Sequence, residues 1–129
     1  MIKFGYTIIY VEDVAATVQF YSEVFELEIK LQIPDGSYAE LNTGATTLSF
    51  ASFQMGQAHL GDFTPSTAKA APQGFEIAFT TDEVAGLYEK AINHGASALS
   101  APETKPWGQT VAYVRDMNGI LVEICSPMN

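Results

Sequence analysis

YTIIYVEDV, at residues 6–14, has a counterpart later in the chain, EIAFTTDEV at residues 76–84. In both segments an apolar strand pattern is followed by two acidic residues and a valine. Acidic residues at such a position favour a helix start, because their oxygens cap free N–H groups at the positive end of the helix dipole. The repeat therefore predicts that each half of the chain opens with a strand followed by a helix.

The residues after each segment predict the same order of elements in both halves. Apolar side chains recur at helical spacing, at Val14, Val18, Tyr21 and Phe25 in the first half and at Val84, Tyr88, Ala91 and Ile92 in the second. Three strand-like runs follow each helix, at residues 27–33, 37–43 and 46–52 and at residues 96–100, 109–115 and 120–126. Each half therefore has the order βαβββ. We expect one α+β domain over residues 1–129, with module one at 1–52, a linker at 53–73 and module two at 74–129.

The composition excludes several classes of function. The chain has 129 residues, 47% of them hydrophobic, and 6 basic against 15 acidic residues give a formal charge of −9. We therefore expect no binding to the phosphate backbone of nucleic acid or to an anionic membrane surface. No apolar run reaches the roughly 18 residues of a membrane-spanning helix, and the N-terminus has no signal-peptide pattern. With one cysteine, Cys125, no internal disulfide forms, so a cytoplasmic location is expected.

Alternation along the four inner strands separates two faces of the predicted sheet. One face is the predicted core beneath the helices, with large apolar side chains at Ile9, Val11, Leu48, Phe50, Ile77, Phe79, Val122 and Ile124. The other face is mixed and has Tyr6, Ile8, Tyr10, Thr47, Ser49, Ala51, Glu76, Ala78, Thr80, Leu121, Glu123 and Cys125, with Tyr113 on the neighbouring strand. Apolar walls with a few convergent polar groups are typical of a ligand cleft. The alternative is a plain solvent-facing sheet surface.

Several segments together resemble the vicinal-oxygen-chelate superfamily, which includes glyoxalase I, bleomycin-resistance proteins and extradiol dioxygenases. They are the two strand–acid–acid–valine–helix openings, FYSEVF at residues 20–25 and RDMNGILVEI at residues 115–124. The resemblance implies that the two βαβββ modules form a curved, eight-stranded mixed sheet around a cup, with the helices on its convex face.

In metal-dependent members of the superfamily, the ligands come from the first and last strands of each module. The matching positions in this chain are Tyr6, Ser49, Glu76 and Glu123, so the usual histidines are replaced. Only Glu76 and Glu123 are strong donors, and they would hold a hard divalent cation weakly and suit Zn²⁺ or Fe²⁺ badly. We therefore expect no tightly bound cofactor, with a weakly bound divalent metal as the alternative. Without a metal the two carboxylates repel, which favours a protonated member that acts as donor or general acid; alternatively, one of them points to water at a strand end.

The leading hypothesis is a homodimer in which an acidic, tyrosine-lined cup binds a small, partly aromatic or cationic organic ligand. Its site residues are the acid/base or anchoring pair Glu76 and Glu123 and the ligand-binding residues Tyr6, Tyr10, Ser49, Trp107 and Tyr113. Superfamily proteins of this kind sequester antibiotics or related toxins without chemistry, and the resemblance also implies the dimer. The alternative is a divalent-metal-assisted lyase, isomerase or dioxygenase in which Glu76 and Glu123 bind the metal or act as acid and base.

Overall fold

A computed structural model describes residues 1–128 of the chain. The strands are β1 (Tyr6–Val11), β2 (Glu28–Gln32), β3 (Tyr38–Asn42), β4 (Thr47–Ser52), β5 (Glu76–Thr80), β6 (Ser97–Thr104), β7 (Thr110–Arg115) and β8 (Leu121–Cys125). The helices are α1 (Val14–Phe25), α2 (Phe53–Leu60) and α3 (Val84–Asn93). Within residues 1–128, none of these helices has the length and hydropathy needed to cross a membrane.

Two compact units divide the chain between Pro65 and Ser66, inside the predicted linker. The first unit contains a four-stranded sheet in the order β1-β4-β3-β2, and the second contains one in the order β5-β8-β7-β6. In each sheet the first strand runs parallel to its neighbour and the other two pairs are antiparallel. The α+β fold class is therefore confirmed, with the strand–helix–three-strand order in both halves. The eight strands are hydrogen-bonded as two sheets of four.

The two acidic helix starts differ in their capping. The Asp13 carboxylate accepts a hydrogen bond from the Ala16 N–H at 3.0 Å, so the predicted cap of α1 is present. The Glu83 side chain makes no capping hydrogen bond at the start of α3, and the Thr81 hydroxyl accepts from the Glu83 N–H instead. The two consecutive acidic residues therefore mark both helix starts correctly, although only the first helix uses a carboxylate as its cap.

The predicted core face is buried in both units, with one exception at an edge strand. Six of the eight predicted core residues have at most 5% of their surface exposed. Ile77 and Phe79 on β5 are only half-buried. β5 lies at the edge of its sheet, and α3 packs over β6, β7 and β8, so the helix leaves β5 less covered.

Part of the predicted linker is helical. Residues 53–60 form α2, and the Ser52 hydroxyl caps the helix by accepting from the Met55 N–H at 3.1 Å. A Cβ at Gly56 would lie 2.8 Å from the rings of Tyr10 and Phe63, so only glycine lets α2 pack this closely on them. The sequence did not predict this helix, because a mid-helix glycine ordinarily weakens a helix and here it permits a tertiary contact.

Replacing Phe50 by alanine should destabilise the first unit strongly. Phe50 is fully buried and stacks on the buried Tyr21 ring, with 5.1 Å between ring centroids. Phe50→Ala should lower the free energy of unfolding by about 3–5 kcal/mol, because it removes a large core side chain and leaves a cavity. Phe4→Ala, at a side chain that is 71% exposed, is the control and should change it by less than about 0.5 kcal/mol. Urea unfolding measures both, and similar effects would contradict this core assignment.

Candidate functional site

The second unit brings the two predicted carboxyl groups together with a tyrosine. Glu76 is the first residue of β5, and Glu123 lies in the middle of β8. Their carboxyl groups lie close enough to shift each other's pKa. The Tyr113 hydroxyl on β7 donates to Glu123 Oε1 at 2.9 Å. Three of the predicted site residues therefore form one contiguous cluster, which we call the acid pair (Glu76 and Glu123) with its tyrosine.

Strand register explains why these side chains meet. Glu123 pairs directly with Tyr113 on one side and with Ala78 on the other, so all three point to the same face. Glu76 pairs with Leu121, two residues before Glu123, which makes the two glutamates diagonal neighbours on that face. Long side chains at diagonal positions of adjacent strands are within reach of each other. A shift of one residue in the β5–β8 register would separate them.

The two carboxyl groups shift each other's pKa in opposite directions. The hydrogen bond to Glu123, burial and repulsion by the Glu123 charge together raise the pKa of Glu76 to about 7. Burial acts against the charge of Glu123, but the hydrogen bond from Glu76 lowers the pKa of Glu123, and Cys125 and Tyr113 act in the same direction. The opposite directions describe one coupled pair, in which the proton resides on Glu76 and the negative charge on Glu123.

Two weaker acids beside the pair remain protonated. Burial, then the hydrogen bond to Glu123, raises the pKa of Tyr113 to about 12. Burial, then Glu123, raises the pKa of the Cys125 thiol to about 11. The Cys125 side chain is buried, and its Sγ lies 3.8 Å from the carbonyl oxygen of Phe79. Cys125 is therefore a protonated, buried thiol and not an activated nucleophile.

The first unit has a polar cluster of its own. Tyr38 Oη lies 2.8 Å from Glu40 Oε2 and 3.0 Å from the hydroxyl of the fully buried Ser49. Burial raises the pKa of Tyr38, and Tyr6 contributes to its electrostatic surroundings. Sequence reasoning missed Tyr38 and Glu40, because the alternation was followed only along the inner strands and β7. Applied to β3, the same alternation places both residues on the face of Ser49, since Glu40 pairs with Ser49.

The two clusters lie on equivalent strand pairs but are built differently. Glu40 pairs with Ser49 in the first unit as Tyr113 pairs with Glu123 in the second. The tyrosine–glutamate contact lies within β3 in the first unit and between β7 and β8 in the second. That Tyr6 and Ser49 share one cup with the acid pair stays a prediction.

Two other predicted ligand-binding residues occupy different surroundings. Tyr10 is half-buried and packs against Phe63, with 5.3 Å between ring centroids, so it supports α2. Trp107 lies on the hairpin between β6 and β7, is 62% exposed, and donates to Gln109 Oε1 at 2.9 Å. Trp107 therefore precedes β7, whereas Tyr113 and Glu123 lie in the middle of their strands.

The donor set fits the superfamily's metal poorly. Residues 1–128 contain no group of three or more His, Cys, Asp or Glu side chains that could hold a metal ion. In the second unit the pKa of Glu76 is raised to about 7, so a metal would compete with a proton for this carboxyl group. Zn²⁺ and Fe²⁺ prefer imidazole or thiolate donors, whereas the Cys125 thiol beside the acid pair is held protonated.

Glu123→Gln should lower the pKa of Glu76 towards the ordinary value for a glutamic acid. It removes the negative charge that repels ionised Glu76, so the pKa of Glu76 should fall from about 7 towards 4.5. Side-chain carboxyl chemical shifts recorded against pH by NMR measure this. Glu89→Gln, at an exposed position on α3, is the matched control and should leave the titration of Glu76 unchanged. A wild-type Glu76 that titrates near 4.5 would contradict proton sharing.

Comparisons with known proteins agree with this fold. The family model of the Glyoxalase/Bleomycin resistance protein/Dioxygenase superfamily matches residues 3–124, while no curated protein matches in sequence. A glyoxalase-related enzyme from Fulvimarina pelagi superimposes with a TM-score of 0.85 at 22% identity, over 98% of this chain and 89% of the other. A glyoxalase/bleomycin resistance protein/dioxygenase family enzyme from Burkholderia phytofirmans PsJN has a TM-score of 0.78 at 22% identity, over 96% of this chain and 98% of the other.

TioX from Micromonospora sp. ML1 is a further structural relative, with a TM-score of 0.69 at 20% identity over 98% of this chain and 99% of the other. At these identities the structures show a shared fold. The family model extends over nearly the whole sequence and agrees with the fold of both units. This chain therefore belongs to the Glyoxalase/Bleomycin resistance protein/Dioxygenase superfamily.

Proposed function

We propose that this protein binds a small organic ligand, cationic or hydroxylated and partly aromatic, at the face that carries the acid pair. The observation that carries the proposal is the convergence of Glu76, Glu123 and Tyr113 on one face of the sheet, with the Tyr113 hydroxyl hydrogen-bonded to Glu123. Such a pair offers one negative charge and one acidic donor side by side. A protonated amine would pair with Glu123, and a ligand oxygen would accept from Glu76.

The surroundings of the pair support binding of an uncharged or singly charged molecule. Glu76 lies exposed at the edge strand, so a ligand reaches it from solvent, while Glu123 is half-buried between strands. Tyr113 presents a protonated phenol and an aromatic ring beside the charge. These features suit sequestration of an aromatic amine or a related toxin, for which binding without a chemical step is sufficient.

Ligand-observed NMR and calorimetry test this proposal with a library of aromatic cations. The library includes benzylammonium, which is compared with its neutral analogue benzyl alcohol. We expect aromatic cations to bind more tightly than their neutral analogues. Glu123→Gln should weaken their affinity about tenfold, because it removes the charge that pairs with the amine. Glu89→Gln is the control and should leave the affinity unchanged. If no member of the library binds the wild-type protein, the proposal is wrong.

We further propose that the protein functions without the superfamily's divalent metal, because its carboxyl pair is occupied by a proton. Elemental analysis of the purified protein and calorimetric titration with Mn²⁺, Ni²⁺ and Zn²⁺ test this. We expect metal well below one ion per chain and no saturable binding. Stoichiometric metal would contradict the proposal and favour a metal-assisted lyase, isomerase or dioxygenase that uses Glu76 and Glu123.

We also propose that the protein is a cytoplasmic homodimer. Support for a dimer comes from β1, which lies at the edge of its sheet, since an exposed edge strand is ordinarily covered. A single, buried, free cysteine is compatible with the reducing cytoplasm.

A further inference from the structure

The segment that leads into β5 is tied to the turn between β7 and β8. We call residues 66–75 the strap; Glu76 follows it directly. The Ser66 hydroxyl donates to the carbonyl oxygen of Asn118 at 2.8 Å. Arg115 Nη2 donates to the carbonyl oxygens of Thr67 at 3.3 Å and Ala70 at 2.8 Å. The strap is therefore held at several points within the second unit.

The turn that holds the strap is itself fixed. The carboxylate of Asp116, which is 1% exposed, accepts from the backbone N–H groups of Asn118 and Ile120. Arg115 Nε donates to the carbonyl oxygen of Gly119 at 3.0 Å. One guanidinium thus bonds to the turn through Nε and to the strap through Nη2. Its planar, forked geometry allows both at once, which a lysine ammonium on a flexible stem does not reproduce.

Gly119 is required for this close approach. Its φ is +79°, a conformation that favours glycine, and a Cβ there would overlap the carbonyl oxygen of Thr67 and approach Arg115 Nη2 at 2.5 Å. Any larger residue must push the strap away from the turn. The contact between strap and turn therefore depends on Gly119 as well as on Arg115.

Arg115 lies on the same row of paired residues as Glu76. Arg115 pairs with Leu121 across β7 and β8, and Leu121 pairs with Glu76 across β8 and β5. Arg115, Leu121 and Glu76 thus form one row across the sheet, next to the row of Tyr113 and Glu123. β5 is an edge strand whose first residue is Glu76, six positions after Ala70, the last strap residue that Arg115 bonds.

We propose that Arg115 is a positioning residue for the acid pair: by clamping the strap to the β7–β8 turn, it holds Glu76 against Glu123. The geometry of this inference comes from contacts within the second unit. Its consequence for ligand affinity rests on the proposed function. Releasing the strap frees the start of β5, and the two carboxyl groups then separate and titrate independently.

The experiment compares Gly119→Ala and Arg115→Gln with Gly95→Ala. Gly95 is the matched control, because it also has a positive φ, of +107°, but a Cβ added there would meet no atom within 4 Å. In both test variants the upper titration of the pair, followed by NMR without ligand, should fall from near 7 towards 4.5. Trypsin should cleave after the exposed Lys69 in the strap about tenfold faster, since cleavage follows the population of the open strap. Gly95→Ala should change neither.

Two milder variants keep the test decisive if Gly119→Ala does not fold. Ser66→Ala removes only the bond to Asn118, and Arg115→Lys retains the charge without the fork. Both should give smaller changes of the same sign in cleavage and titration. Faster cleavage with an unchanged titration would overturn the positioning role. A failed ligand screen with the expected titration changes would instead overturn the proposed function alone, because no ligand enters this measurement.

Discussion

The hydrogen bond between the carboxyl groups of Glu76 and Glu123 is the interaction on which the functional interpretation depends. Two ionised carboxylates at diagonal positions of adjacent strands would repel each other, and a shared proton converts that repulsion into attraction. The hydrogen bond to Glu123, burial and the Glu123 charge raise the pKa of Glu76 to about 7, and the hydrogen bond from Tyr113 stabilises the charge on Glu123. The face therefore presents one charge and one donor at the positions that match the metal ligands of metal-dependent superfamily members.

The fold supplies this pair through duplication of one structural plan. Both units have a parallel pair followed by two antiparallel pairs, and both contain a tyrosine–glutamate contact, within β3 in the first unit and between β7 and β8 in the second. In the first unit the carboxylate is Glu40 on β3, and Ser49 occupies the position that Glu123 has in the second. The exchange leaves the first unit with a single carboxylate in its cluster, so proton sharing belongs to the second unit.

Local patterns in the sequence were sufficient for the strands, two of the three helices and the acid pair. Alternation places Glu76 and Glu123 on one face, and the repeat locates the strand–helix openings, because both signals depend on neighbouring residues only. Helix α2 and the strap were missed because glycines at positions 56 and 119 act through close approach to distant residues. The burial of Tyr10 against Phe63 has the same origin, since it depends on α2.

Infrared spectroscopy of the protonated carboxyl group tests proton sharing most directly, because the C=O stretch of a neutral carboxylic acid is separate from that of a carboxylate. At about pH 6, well above the ordinary pKa of glutamic acid, the wild-type protein should retain a neutral carboxyl band that Glu76→Gln abolishes. If wild type and Glu76→Gln give the same spectrum at that pH, with every carboxyl group ionised, the central claim is wrong.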